Sequence, residues 1–171
     1  MNRGLMFAAG LGAGILLTML VHPLIFAPSI SAVFSPEDGH EIVDLLDGAK
    51  GSIDIEIYVF SSRDVVEALE HAKARGVEIR IIIEKDVVGG ENDEIYRELL
   101  AKGFNVRFAS EAYKLTHAKF IIVDGKAVLV GSHNLSNSAL YKNREASVII
   151  RDAATVQEFE QAFAIDWAIA S

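Results

Sequence analysis

The sequence predicts an α/β domain, a mixed β-sheet flanked by helices and preceded by an N-terminal hydrophobic helix. Three features predict it. Alternating apolar runs are separated by amphipathic stretches that stop at glycine. An Asp-Gly pair lies between two later apolar runs, and a long uncharged segment precedes them all. Of the 171 residues, 51% are hydrophobic and 23% charged, which suffices for one core and excludes a disordered chain.

Between Arg3 and Glu37 there is no charged residue. Leu5–Phe26, 22 residues, is apolar except for Thr18 and His22, long enough to cross a ~30 Å hydrocarbon core as a helix. It exceeds the ~7–15-residue apolar region of a cleavable signal peptide. Residues 1–32 are therefore read as a membrane anchor. The alternative is a signal peptide, with Ser29 and Ser31 as small residues at a cleavage site. With Arg3 before the span and Glu37 and Asp38 after it, the positive-inside rule leaves the domain outside the cytoplasm. Cleavage would make it secreted or periplasmic. Gly10 and Gly14 have GxxxG spacing, but glycine is common in membrane spans and the pair carries little.

Residues 33–171 read as one domain. Ser35-Pro36 has the pattern of an N-cap and first-turn proline, opening a helix to about Asp47 that buries Ile42, Val43, Leu45 and Leu46 and stops at Gly48. Ile53, Ile55, Ile57 and Val59 alternate with Asp54, Glu56, Tyr58 and Phe60 as a strand. Ser61 and Ser62 open a helix from about Arg63 to Arg75, closed by Gly76. A second strand carries Val77, Ile79, Ile81 and Ile83. Asn92 then caps a helix with Ile95, Leu99 and Leu100, and Phe104–Phe108 is a third strand. Strand–helix–strand twice over implies parallel pairing with right-handed crossovers. Thr116–Val123 and Lys126–Val130 are strands joined by Asp124-Gly125, a two-residue hairpin turn. Ala146–Arg151 is a further strand, and Asp152 caps a last helix with Val156, Phe159, Phe163 and Trp167 on its apolar side.

The charge is uneven. Net charge is −8, made of −10 over residues 34–100, +5 over 101–151, −4 over 152–171 and Arg3. This excludes a wholly basic coat protein and points to a local anion site within 101–151. There is no cysteine, which excludes a disulfide scaffold, Cys-ligated zinc, iron–sulfur ligation and thiol catalysis. No HExxH or EF-hand pattern occurs, so no metal or other cofactor is inferred.

A two-residue hairpin at Asp124-Gly125 sets Val123 against Lys126 and His117 against Ser132. Alternation puts His117 and Lys119 on one face, continued by Ser132 and Asn134, with Ile121 and Val123 as its apolar floor. An imidazole, an ammonium, a hydroxyl and an amide in one patch suit phosphoryl transfer. Imidazole attacks phosphorus without a metal or protonates a leaving oxygen near neutral pH. Lysine and an amide N–H hold the non-bridging oxygens. One histidine does not readily do both jobs in one step.

His117-Ala118-Lys119, four residues, Asp124, six residues, then Gly131-Ser132-His133-Asn134 resembles the HxKx4Dx6GSxN signature of the phospholipase D superfamily. Asn143-Arg144-Glu145 resembles the N-x-E element that follows it, and Phe34-Ser35-Pro36 and the Tyr58 strand resemble the start of the family's small members. The family usually builds an active site from two such motifs, and this sequence has one. It thus resembles the single-motif members that pair as homodimers, the small bacterial endonuclease and the mitochondrial cardiolipin hydrolase group.

The resemblance implies the phospholipase D/nuclease fold and a metal-independent phosphodiesterase acting through a phosphohistidine, on nucleic acid or, alternatively, on membrane phospholipid. It implies His117 of one subunit as nucleophile and His117 of the other as general acid. Lys119, Ser132 and Asn134 bind phosphate, and Glu145 accepts a hydrogen bond from the imidazole. Asp124 belongs to the signature, but its hairpin position explains it as a turn residue. His133 occupies the variable position and is read as structural. His40 and His71 fall on predicted helices as surface residues. Lys114, Lys126, Lys142 and Arg144 either rim a polyanion groove or are merely exposed.

Overall fold

The computed structural model describes residues 29–87 and 91–171. The expected N-terminal hydrophobic helix lies outside the described residues. No helix among the described residues is long and apolar enough to cross a membrane.

The strands are β1 (Ile30–Ser35), β2 (Ser52–Ile57), β3 (Glu78–Ile83), β4 (Asn105–Phe108), β5 (Lys119–Val123), β6 (Ala127–Gly131) and β7 (Glu145–Ile150). The helices are α1 (His40–Asp47), α2 (Arg63–Ala74), α3 (Glu91–Ala101), α4 (Asn137–Tyr141) and α5 (Ala153–Ile169). The strands make one mixed sheet in the order β1-β7-β6-β5-β2-β3-β4. As the alternating pattern requires, β2, β3 and β4 are parallel, while β5, β6, β7 and β1 run antiparallel to their neighbours.

Both sheet faces are covered, which is why isoleucine and valine dominate the central strands. On one face Ile53, Ile55, Ile81 and Ile121 pack with Ile42 and Leu46 of α1 and Val65 and Leu69 of α2. On the other, Ile82, Phe120, Ile122 and Val128 pack with Val156 and Phe163 of α5, flanked by Phe159 and Trp167. Asp152 caps α5 as expected, its carboxylate accepting the Thr155 N–H at 2.9 Å.

The structure departs from the sequence reading at three points. Residues 30–35 form β1, paired along its length with β7, and α1 starts only at His40. The Ser35 hydroxyl caps nothing. It is buried and donates to the Leu140 carbonyl at 2.8 Å. Secondly, the hairpin register is shifted by one residue, because Val123 faces Ala127 rather than Lys126. Asp124 (φ 56°) and Gly125 (φ 59°) are both left-handed, and Lys126 adds a third residue to the loop, as in a bulged hairpin. Thirdly, Asn92 lies inside α3 and is fully buried. Its side chain accepts from the Phe60 N–H at 3.0 Å and donates to the Tyr58 and Glu84 carbonyls at 2.6 and 2.7 Å. It joins the C-terminal ends of β2 and β3 instead of capping a helix.

Asp124 sits at the far end of β5 from His117, seven residues on and roughly 23 Å away at the rise per residue of extended chain. Its carboxylate accepts the N–H groups of Lys50, Gly51 and Ser52 at 3.0, 2.6 and 3.1 Å, tying the hairpin to the start of β2. Partial burial alone would raise its pKa, and the three N–H donors outweigh it and hold the carboxyl below its ordinary value. Asp124→Asn keeps a residue tolerant of the left-handed turn and removes the charge. Urea unfolding should show a loss of about 1–3 kcal/mol at pH 7. A carboxyl depressed in the folded state stabilises above its unfolded pKa, near ~4, and that contribution disappears as pH falls through the folded value. The acid-side fall in stability should therefore be shallower in Asp124→Asn than in the parent chain.

Candidate active site

The last residue of β6, Gly131, starts the site. A Cβ there would lie 2.3 Å from the Ser147 hydroxyl and 2.4 Å from the Ala146 carbonyl oxygen, so only glycine lets the chain pass β7. Beyond it the chain leaves the ladder. The Ser132 N–H donates to Ala146 O at 2.9 Å, and the Leu135 N–H donates to Val59 O at 3.0 Å. Phe60 and Leu135 form a parallel bridge. Residues 131–135 thus cross from β7 to the end of β2. With the shifted register, it is this crossing and not strand alternation that brings Ser132 and Asn134 to the end of the sheet where His117 lies.

His133 is the clamp of that crossing. It is 2% exposed, with Nε2 2.7 Å from the Ser35 hydroxyl and Nδ1 2.7 Å from the Ser147 hydroxyl. Burial lowers its pKa, with the Glu145 charge acting weakly the other way, so the neutral ring is favoured. This is the structural role read from its position in the motif.

His117 is exposed and precedes β5. Its ring lies 4.5 Å, centroid to centroid, from the ring of Tyr58. The Lys119 ammonium donates to the His117 carbonyl at 2.9 Å, stands 3.4 Å from His117 Nδ1, and lies 5.0 Å from the Tyr58 ring centroid. Partial burial lowers the Lys119 pKa, while the Glu145 charge acts to raise it. Lys119 pairs with Ile57 across β2–β5, so Tyr58 follows directly from the strand register.

Asn134 presents its side-chain oxygen to the Val59 N–H at 3.3 Å, and its Nδ2 has no hydrogen-bond partner among the described residues. An amide N–H2 is thereby left for an anion. Ser132 Oγ donates to Glu145 Oε2 at 2.5 Å and accepts from the Ala146 N–H at 3.0 Å. The Asn143 amide donates to Glu145 Oε1 at 3.2 Å. Both Glu145 oxygens are thus occupied within the chain, and the expected hydrogen bond from the imidazole is not formed with His117 of the same chain.

His117, Lys119, Ser132, Asn134 and Glu145 converge around the C-terminal end of β2, while Asp124 does not join them. Of the basic residues, Lys114 precedes His117, and Lys142 and Arg144 precede Glu145. Arg144 is engaged with Glu37 at 2.8 Å, and Lys126 lies in the remote hairpin. A cleft of about 410 Å³ lined by Asp44, Val123, Asp124 and Arg151 is also at the remote end. Sequence reading missed the support from Tyr58, Glu84 and Asn92. Glu84 is buried and accepts the Thr116 N–H at 2.6 Å, one residue before His117. An acid and an amide at the ends of apolar runs were the only signal for the last two.

An exposed imidazole beside an ammonium, with a free amide N–H2 nearby, is an anion site able to engage a phosphate. The family profile described as "Cardiolipin synthase, PLD-like domain" matches residues 42–167. A mitochondrial cardiolipin hydrolase of Xenopus laevis is 32% identical over 126 residues, covering 74% of this chain and 59% of the relative. A phospholipase D of Rickettsia bellii is 30% identical, covering 77% and 66% respectively. The chain thus spans about three fifths to two thirds of the length of these relatives. Among solved structures, a phospholipase D family member, Nuc from Salmonella typhimurium, superposes with a TM-score of 0.78 at 30% identity, covering 84% of this chain and 97% of Nuc. The motif spacing, the fold and these matches agree, and the chain belongs to the phospholipase D superfamily.

Proposed function

We propose that the protein is a metal-independent phosphodiesterase that works as a homodimer with one shared active site, and that its substrate is a nucleic acid. The observation that carries this is the exposed His117 imidazole held beside Lys119, with Asn134 Nδ2 free. Imidazole nitrogen attacks phosphorus, a P–N bond forms, and the P–O bond to the leaving alcohol breaks. The second subunit's His117 gives the leaving oxygen its proton. It then takes one from water as the P–N bond is hydrolysed, restoring both rings. Lys119 and Asn134 stabilise the equatorial oxygens as charge develops. Ser132 and Asn143 hold Glu145, whose charge partly offsets the lowering of the Lys119 pKa by burial.

A second copy is supported by α5. Its first half turns Gln157, Glu158 and Gln161 to solvent, as an exposed helix face does. Yet Ile165 and Ile169 are 62% and 45% exposed on its outer side. The C-terminal part of α5 adjoins the segment before His117, since Tyr113 Oη donates to Asp166 at 3.1 Å. A twofold contact there draws the two loops together.

A phospholipid substrate is the second reading. It is favoured by the relatives named cardiolipin hydrolase and by the apolar Leu5–Phe26 segment. We read that segment as an uncleaved anchor, placing the domain outside the cytoplasm. Ile30 and Ser31 pair with Ile150 and Ile149, and the Arg151 N–H donates to Ser29 O, so cleavage near Ala32 would remove part of β1.

His117→Ala should abolish turnover of single-stranded DNA with unchanged circular dichroism, and excess EDTA should leave the parent activity intact. Residual activity above about a hundredth, or rescue of an EDTA-treated sample by a divalent ion, would contradict the histidine mechanism. Parallel assays on RNA, duplex DNA and cardiolipin vesicles decide the substrate class. Mixing parent chain with excess His117→Ala, after subunit exchange, should suppress activity well beyond dilution. A fall proportional to the parent fraction would mean that each chain works alone. The full-length protein should remain in the membrane pellet after an alkaline carbonate wash. A mature N-terminus near Ala32 would favour a signal peptide.

A further inference from the structure

The face of β2 beneath α5 carries two acids with opposite fates. Asp54 receives a two-pronged contact from Arg80, both nitrogens at 2.7 Å. Among the described residues Glu56 has no cation. It is 4% exposed, flanked by Ile82 and Phe120 across the sheet, and its Oε2 has no hydrogen-bond partner there. Another acid, Asp166 of α5, lies beside it, and its charge also acts on the Tyr113 phenol. The charged groups of the surrounding elements do not answer it. Arg80 of β3 is engaged by Asp54, Arg107 of β4 donates to Trp167 O at 2.7 Å, and Glu160 of α5 acts on Arg80. From β5 only Phe120 faces it, with Ala118 just before the strand.

A carboxyl group buried beside another acid keeps its proton, because burial and the neighbouring negative charge both disfavour its ionised form. A protonated Glu56 donates to the Asp166 carboxylate, which already accepts from Tyr113 Oη at 3.1 Å. Tyr113 lies in the segment joining β4 to β5, which ends at Thr116 and His117. A second hold on that segment, beside the histidine, is the Thr116 N–H bond to Glu84, and Lys119 and Tyr58 contact His117 itself.

We propose that a protonated Glu56 donates to the Asp166 carboxylate, and that this carboxyl–carboxylate pair, through Tyr113, positions the loop that carries His117. The pair rests on the burial of Glu56, its unpartnered Oε2 and the placement of Asp166 beside it, and its effect on turnover rests on the function proposed above. Burial first, and Asp166 second, push the Glu56 carboxyl up to about 8. A folded-state pKa raised above the ordinary carboxyl value means that the stabilisation is complete below ~4.5 and is lost as pH rises through about 8. Above that pH the charges repel, and Asp166 and Tyr113 lose their anchor. Glu56, Asp166 and Tyr113 are thus positioning residues.

The chain has a single tryptophan, Trp167, next to Asp166. The experiment is a pH titration of Trp167 fluorescence on the full chain, alongside kcat on single-stranded DNA. The parent should show an inflection near pH 8, with kcat falling over the same range. Glu56→Gln keeps an N–H donor to Asp166 and no charge, so its inflection should vanish and its kcat should persist to pH 9. Asp166→Asn removes the repelling charge and should move the inflection down by about one pH unit. Tyr113→Phe should keep the inflection, lower kcat about tenfold and speed amide exchange across residues 110–117. An inflection unchanged in both Glu56→Gln and Asp166→Asn overturns the pair. An intact inflection shift with kcat unaffected by Tyr113→Phe overturns the positioning role. Should the parent chain prove inactive on every substrate, the fluorescence arm still tests the pair, and only the proposed phosphodiesterase function fails.

Discussion

The tight passage of residues 131–135 from the end of β6, in close contact with β7, to the end of β2 is the constraint on which the site depends. It requires a residue without a side chain at 131, since a Cβ would sit 2.3 Å from Ser147 Oγ. It also requires a polar, two-ended side chain at 133, because the crossing is buried and its neighbours are hydroxyls. An imidazole meets that demand with one nitrogen to Ser35 and the other to Ser147. Burial of a neutral ring with both nitrogens satisfied avoids the cost of an orphaned polar group. Ser132 and Asn134, on either side of this clamp, are delivered to the site end of the sheet by it.

The same economy explains how an acidic protein keeps an anion site. The negative charges of α1, α2 and α3 lie on helices that cover one sheet face, and the site opens at the strand ends. There Lys119 is only partly buried, next to the Tyr58 ring, and Glu145 is kept at a distance by its bonds to Ser132 and Asn143. Among the described residues Lys119 has no direct ion pair, and its Nζ donates to the His117 carbonyl. An ammonium bonded to a carbonyl still carries its full charge toward an incoming phosphate.

Asp124 illustrates how a signature residue serves the site from a distance. At the other end of β5 it fastens the hairpin to the start of β2 through three N–H groups. β2 and β5 are the strands whose other ends carry Tyr58 and Lys119, so fixing their register at one end fixes the pairing at the other. The buried Glu84 and Asn92 complete this support from β3 and α3.

Local chemistry made much of this legible in the sequence. The period-two apolar runs determined β2, β3 and the parallel pairing, the glycines determined where α1, α2 and α3 stop, and Asp152 determined the start of α5. The spacing of His117, Lys119, Ser132, Asn134 and Glu145 determined the site residues that the fold brings together. What tertiary structure decided were the features in which a residue answers a distant partner. β1 exists because β7 offers an edge, although Ser35-Pro36 carries a helix-start pattern. The hairpin gains Lys126 because Asp124 is drawn toward residues 50–52, which shifts the register from that of a two-residue turn. Glu145 turns to Ser132 and Asn143, and Asn92 turns inward to β2, because long-range hydrogen bonds outweigh local preference. Glu56, which alternation places on an ordinary polar position of a strand, is an acid without a cation only because α5 closes over it with Asp166.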